Sequence, residues 1–186
     1  MIRPSSLATL TLVALLACGG GGGGSAPAPQ PAAPKLVYTD PTSGAYRFLR
    51  NVALSTDAHL VLDLVGPTGA QGRGVAFTLT TDASMVTWSK PQATDAELVA
   101  PALLDLGSAP QILKVKAAGA TLQAAYAQKG TAVGAKALDA PFGRVALTLK
   151  PGAHGTVTLS ASAAQVLPAS GAPQDITLAC GTLQVQ

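Results

Sequence analysis

The residues of this chain best suited to catalysis or metal binding are few: His59, His154, Cys180 and nine carboxylates. A transition-metal site needs three or four converging ligands, and one thiol with two distant histidines offers no recognisable ligand spacing. His59 opens an alternating segment, and His154 sits in Pro151-Gly152-Ala153-His154-Gly155, which reads as a tight turn. Both are read as plain strand-edge or turn residues. No G-x-S-x-G elbow supplies a serine nucleophile. The acids Asp40, Asp57, Asp63, Asp82, Asp95, Glu97, Asp105, Asp139 and Asp175 are scattered. None is spaced like a calcium loop, and a glycosidase pair would need two of them to converge across a cleft. Asp57, Asp82 and Asp139 lie beside turns, where a carboxylate hydrogen-bonds backbone amides. The glycine-rich run Gly66 to Gly74 lacks the Lys-Ser/Thr ending of a phosphate loop, and its three collagen-like triplets are too few for a triple helix. It reads as a long hairpin connection with Arg73 at its exit. The expectation is no catalytic residue, no metal ligand and no cofactor.

Cys18 stands in a different setting. Arg3 precedes an apolar run from Leu7 to Ala17, about half the length a membrane-spanning helix needs. That run fits the hydrophobic region of a secretion signal. It ends Leu15-Leu16-Ala17-Cys18 and is followed by six glycines, Gly19 to Gly24. This junction resembles the lipobox of bacterial lipoproteins, although Leu16 stands where a smaller residue is commoner. The resemblance implies that Cys18 becomes the mature N-terminus and carries acyl chains. Two or more chains anchor a protein stably, whereas one binds a membrane only marginally. Residues 1–17 are therefore expected to be a lipoprotein signal peptide, and Cys18–Pro34 a Gly/Pro-rich tether reaching roughly 20–50 Å. Gly19 is not an aspartate retention signal. The expected address is the bacterial cell envelope, with an outer membrane as default and the domain facing periplasm or surface.

The elements come from Lys35–Gln186. Charged residues are 11% of the chain and hydrophobic residues 48%, which excludes a disordered polyelectrolyte. The net charge of +3 is too small and too dispersed for a nucleic-acid footprint. Aromatics are only 4%, thin for a sugar-stacking surface. Apolar residues alternate at Leu60, Leu62 and Leu64, at Val75, Phe77 and Leu79, and at Val86 and Trp88. The alternation continues at Leu113 and Val115, at Leu122, Ala124 and Tyr126, at Val145, Leu147 and Leu149, and at Val157 and Leu159. About nine short strands predict an all-β antiparallel sandwich. In the last segment Ile176, Leu178 and Cys180 share one parity and Leu183 and Val185 the other. A bulge at Gly181 would put all five inside. Thr94 and Glu97 form a capping-box pattern ahead of Leu98, Val99, Leu103 and Leu106, predicting a short helical segment interrupted by Pro101.

The segments Leu122-Gln123-Ala124-Ala125-Tyr126-Ala127, Val145-Ala146-Leu147-Thr148-Leu149-Lys150-Pro151-Gly152-Ala153 and Gly155-Thr156-Val157-Thr158-Leu159 resemble the later strands of a cohesin domain. The closing Gly181-Thr182-Leu183-Gln184-Val185 and the earlier Gly74-Val75-Ala76-Phe77-Thr78-Leu79-Thr80-Thr81-Asp82 extend the resemblance over residues 52–186. It implies a nine-stranded jelly-roll sandwich, related to some carbohydrate-binding modules, that is non-catalytic and binds a protein through one sheet face. No contact motif matches, so no partner-contact residue is carried over and the binding surface stays unassigned.

Taken together, residues 35–186 are expected to form a cohesin-like β-sandwich that binds another protein. The alternatives are a polysaccharide-binding module and an accessory lipoprotein of a secretion or pilus system. Replacing Cys18→Ser is expected to release the protein from the membrane fraction on ultracentrifugation; a variant that still sediments with membranes contradicts the anchor.

Overall fold

The computed structural model describes residues 32–104, 111–129 and 134–186. The compact unit within them runs Ala33–Gln186. Its strands are β1 (Leu36–Thr39), β2 (Tyr46–Arg50), β3 (His59–Val65), β4 (Gln71–Thr81) and β5 (Val86–Ser89). They continue as β6 (Gln111–Ala118), β7 (Thr121–Gln128), β8 (Lys136–Ala137), β9 (Gly143–Leu149) and β10 (Gly155–Val157). The last are β11 (Leu159–Pro168), β12 (Gln174–Asp175), β13 (Leu178–Ala179) and β14 (Thr182–Val185). A first sheet has the order β13-β2-β3-β9-β5, and a second β12-β11-β4-β7-β6 with β8 also on β4. The ribbon β1-β14-β10 completes the sandwich.

Two pairs of ladder segments are nearly continuous runs that change partner, β10 with β11 and β13 with β14, while β8 and β12 are two-residue additions. Only Thr158 separates β10 in the ribbon from β11 in the second sheet. Such a switch lets one run edge both layers, as a jelly roll requires.

Alternation drives the layering, because successive side chains on a strand point to opposite faces. Leu60, Leu62 and Leu64 of β3 face Val75, Phe77 and Leu79 of β4 and Leu122 and Tyr126 of β7 in one buried cluster. Phe48 meets Phe77 edge to face across the layers, with centroids 5.8 Å apart. Tyr126 is fully buried, and its hydroxyl donates to the Phe142 carbonyl at 3.0 Å. Burying that many large side chains at about 25 cal/mol per Å² is what holds the layers together.

The chain ends close on each other. Lys35 and Gln186 exchange backbone hydrogen bonds of 2.9 and 3.0 Å at the head of the β1–β14 ladder. The Tyr38 hydroxyl accepts from the Gly181 amide at 2.6 Å and donates to the Phe48 carbonyl at 3.0 Å. It thereby ties the ribbon to β2. The parity changes at Gly181, but not through a bulge within one strand. It changes where the chain passes from β13, paired with β2, to β14, paired with β1 and β10. Leu178, Leu183 and Val185 are buried on either side, while Ile176 is half-buried. A Cβ at Gly181 would collide with the Thr39 carbonyl.

Three expectations need correction. The capping-box helix is absent from the described residues. Val99 instead bridges Val145 on β9, and only Pro101–Leu103 coils, as a 3-10 turn. Pro at its first position cannot donate within a helix, and the bridge holds the preceding backbone extended. Leu106 lies outside the described residues. The Gly66–Gly74 run is not a long hairpin connection, because β3 and β4 belong to different sheets. A tight turn at Gly66–Ala70 makes the crossing, held by Gly66 N–H to Leu138 O at 2.6 Å and Leu138 N–H to Ala70 O at 2.8 Å. Gly72 and Gly74 are already inside β4. Finally, Cys180 is half-buried at the margin of the core rather than within it.

Partial burial still alters that thiol, since desolvation raises its pKa from 9.0 to about 11. The folded thiol therefore resists ionisation below pH 9, and its contribution to stability is lost as pH rises from 9 toward 11. In the Ala33–Gln186 domain, Cys180 is expected to react with iodoacetamide near pH 8 about 100-fold more slowly than after unfolding in urea. Equal rates in the two states contradict this burial.

Candidate functional site

The two sheets differ in what covers their outer faces. On the first sheet, Val61 and Ala146 point away from the interior yet are fully buried. The segments 51–58 and 90–104 close over them. Asn51 Nδ2 donates to Asp63 Oδ2 at 2.7 Å, and the Ala100 amide donates to the Arg144 carbonyl at 3.0 Å. Arg144 Nε meets Asp63 Oδ1 at 2.6 Å beneath this cover. His59 belongs to the same layer: its Nδ1 lies 3.2 Å from Thr148 Oγ1 and its Nε2 3.2 Å from the Pro91 carbonyl. With both ring nitrogens held, His59 fastens the 90–104 segment to the sheet. His154 is exposed in its turn, far along the chain from any other candidate ligand.

The outer face of the second sheet has no such cover among the described residues, and cross-strand register shows what it presents. One rung reads Asp175, Gln165, Ala76, Ala125, Lys114 from β12 to β6. The next reads Ala163, Thr78, Gln123, Lys116. On the other side lies Leu167, Gly74, Ala127, Ile112. The middle strands thus offer only Gly, Ala, Thr and Gln, and the longer side chains stand at the margins. The result is an open trough of about 940 Å³. Beside it, Ile112, Ala127, Leu167 and Pro173 line an apolar dimple of about 150 Å³.

Gly74 is required for this shape. A Cβ there would lie 2.6 Å from Ala127 Cα, so any side chain would push β4 and β7 apart and fill the floor of that rung. The bulge at Ser162 keeps Ala163 and Gln165 on the outer face while Ala164 and Val166 stay buried.

Electrostatically the trough is polarised. Lys114 and Lys116 stand exposed on β6, and neither forms an ion pair with another described residue. On the opposite margin Asp175 accepts a hydrogen bond from Gln165 Nε2 at 2.8 Å. Glu97 also lines the trough. The acids singled out in the sequence do not converge. Asp82 accepts from the Ser84 amide at 2.9 Å and from its hydroxyl at 2.5 Å, which pulls its pKa down. Asp139 caps the Gly69 amide at 3.0 Å. Both are turn residues, and Asp63 is absorbed in its pair with Arg144. Among the described residues no three His, Cys, Asp or Glu side chains group as metal ligands. Cys18 and Asp105 lie outside the described residues.

Sequence reasoning left the binding surface unassigned. The legible signal was the outward parity itself: small residues at 76, 78, 125, 127 and 163 on three neighbouring strands. It could be read only once the strand order was known.

No family model matches the chain, and no curated protein does either. Solved structures match its fold. A type II cohesin domain from the cellulosome of Acetivibrio cellulolyticus superposes with a TM-score of 0.53 at 8% identity, over 76% of this chain and 95% of that one. The sixth cohesin of scaffoldin B from the same organism, solved in complex with a mutant Cel5 dockerin, gives 0.52 at 14% identity, over 76% and 97%. At such identities the likeness is one of fold, and the chain has a cohesin-like β-sandwich.

The two faces predict different responses to mutation. Asp63→Ala should strand a buried guanidinium and cost about 3–5 kcal/mol. Lys114→Ala and Lys116→Ala should each shift stability by no more than about 0.5 kcal/mol. Urea melts of the Ala33–Gln186 domain check both; comparable losses at the lysines would make β6 a structural margin rather than a presenting one.

Proposed function

We propose that this chain is a non-catalytic, lipid-anchored envelope protein that binds another protein on the open face of its second sheet. The trough carries this reading. From Lys114 to Gln165 the floor spans three strand spacings, about 14 Å. An α-helix with its side chains is about 10–12 Å across. A helix of a partner therefore rests on Ala76, Ala125, Thr78 and Gln123, flanked by lysines on one side and by Gln165 and Asp175 on the other. Small side chains on the floor bring the two backbones close and lose little rotamer entropy on contact. The cohesin solved with a bound dockerin supports a protein as ligand of this sandwich.

The lipobox-like junction at Cys18 supports the anchor, and the Gly/Pro-rich stretch after it gives the domain room to meet its partner away from a bilayer surface. Polysaccharide binding has less to stand on. Trp88, Tyr38, Tyr126, Phe48, Phe77 and Phe142 are buried, and Tyr46 packs edge to face on Phe142 at 6.4 Å. None of them offers a flat exposed ring for a sugar.

The test uses the Ala33–Gln186 domain as bait in envelope extract, beside Gln123→Arg and Ala125→Arg. The reading expects a protein captured by the native domain and lost, by about 10-fold or more, with both variants at unchanged melting temperature. Equal capture by all three baits places the contact elsewhere and overturns it.

A further inference from the structure

The trough is not symmetric, and its asymmetry specifies what can occupy it. The dimple between Ile112 and Leu167 has a volume of about 150 Å³. An apolar space of that order admits a group about the size of benzene, so it suits one leucine or phenylalanine side chain. Ile112 is 46% exposed although apolar, and a partner group seated there would cover it. The two lysines, which have no ion-pair partner among the described residues, follow along the same strand. Lys114 lies two residues from Ile112 and Lys116 four, about 7 Å and 14 Å at strand rise. Side chains four and eight positions apart on a helix rise about 6 Å and 12 Å, and they stay on one face.

Resting on the reading of this face as a protein-docking surface, we infer that the partner is a helix with one apolar anchor followed, one and two turns along the same flank, by carboxylates. The anchor fills the Ile112–Leu167 dimple, and the carboxylates meet Lys114 and Lys116. This fixes the polarity of docking. A helix laid in reverse with its anchor in the dimple carries its acids past Ile112, away from both lysines. Asp175 on the far margin adds to the selection, because it disfavours acids on the other flank and favours a lysine or arginine there. Glu97 lines the same trough and opposes an acidic partner, so removing its charge strengthens binding.

The probe is a helical alanine-based peptide with one leucine and with glutamates four and eight positions after it. The control carries lysines in place of the glutamates. In amide NMR titrations of the Ala33–Gln186 domain, the glutamate peptide is expected to perturb Ile112–Lys116, Gly74, Ala127 and Leu167. Its affinity should exceed the control's by about 10-fold or more at low salt and lose that margin as salt rises. Glu97→Gln should tighten it, and the double substitution Lys114→Glu with Lys116→Glu should reverse the preference. Equal binding of the two peptides, perturbations on another face, or no perturbation at millimolar peptide overturns the inference. Capture from extract that is lost with Ala125→Arg yet indifferent to the lysine substitutions would overturn it too, while leaving the docking face itself standing.

Discussion

The packing of Phe48 against Phe77, with the leucines of β3 and the Tyr126 ring around them, is the contact on which the rest of the molecule depends. In a sheet the side-chain period is two, so a slip of one residue turns every inward group outward. The aromatic and leucine interior therefore fixes the register of β4, β7, β6 and β11 all at once. With that register set, Ala76, Thr78, Gln123, Ala125, Lys114 and Lys116 have nowhere to go but the outer face. The shape and charge of the open trough are consequences of what is buried beneath it.

The two outer faces then diverge for a physical reason. The first sheet carries a charged pair, Asp63 and Arg144, whose desolvation must be offset by hydrogen bonds. Asn51 donates one to Asp63, and the 90–104 segment joins the sheet through the backbone bond from Ala100 to Arg144. The second sheet carries small neutral side chains that tolerate either water or a partner. Nothing in its interior packing requires those positions to be small, apart from Gly74, where β4 and β7 approach too closely for a Cβ. Small residues on three adjacent strands, combined at one margin with lysines that have no ion-pair partner among the described residues, are features of a surface prepared for contact.

Much of the fold was legible in the sequence because alternation is a local property. The inward sets on β3, β4, β5, β7 and β9 could be read by position alone, as could the inward Leu178, Leu183 and Val185 on either side of Gly181. Local patterns misled where distant contacts took over. Thr94 and Glu97 have the composition of a helix start, but the Val99–Val145 bridge holds that chain extended. The glycines of Gly66 to Gly74 look like one loop, yet Gly72 and Gly74 pair within β4 opposite Lys136 and Ala127. The site itself was not legible. It is assembled from β11, β4, β7 and β6, and only the sheet order makes their outward residues neighbours.

The most direct test of the central claim is site-specific photo-crosslinking in the producing cells, with benzoylphenylalanine at Gln123 on the open face and, separately, at Thr87 on the opposite sheet. Both positions are exposed, so access to the probe is matched. The account predicts a discrete protein adduct from position 123 and none from position 87. An adduct from position 87 with none from position 123 would contradict it.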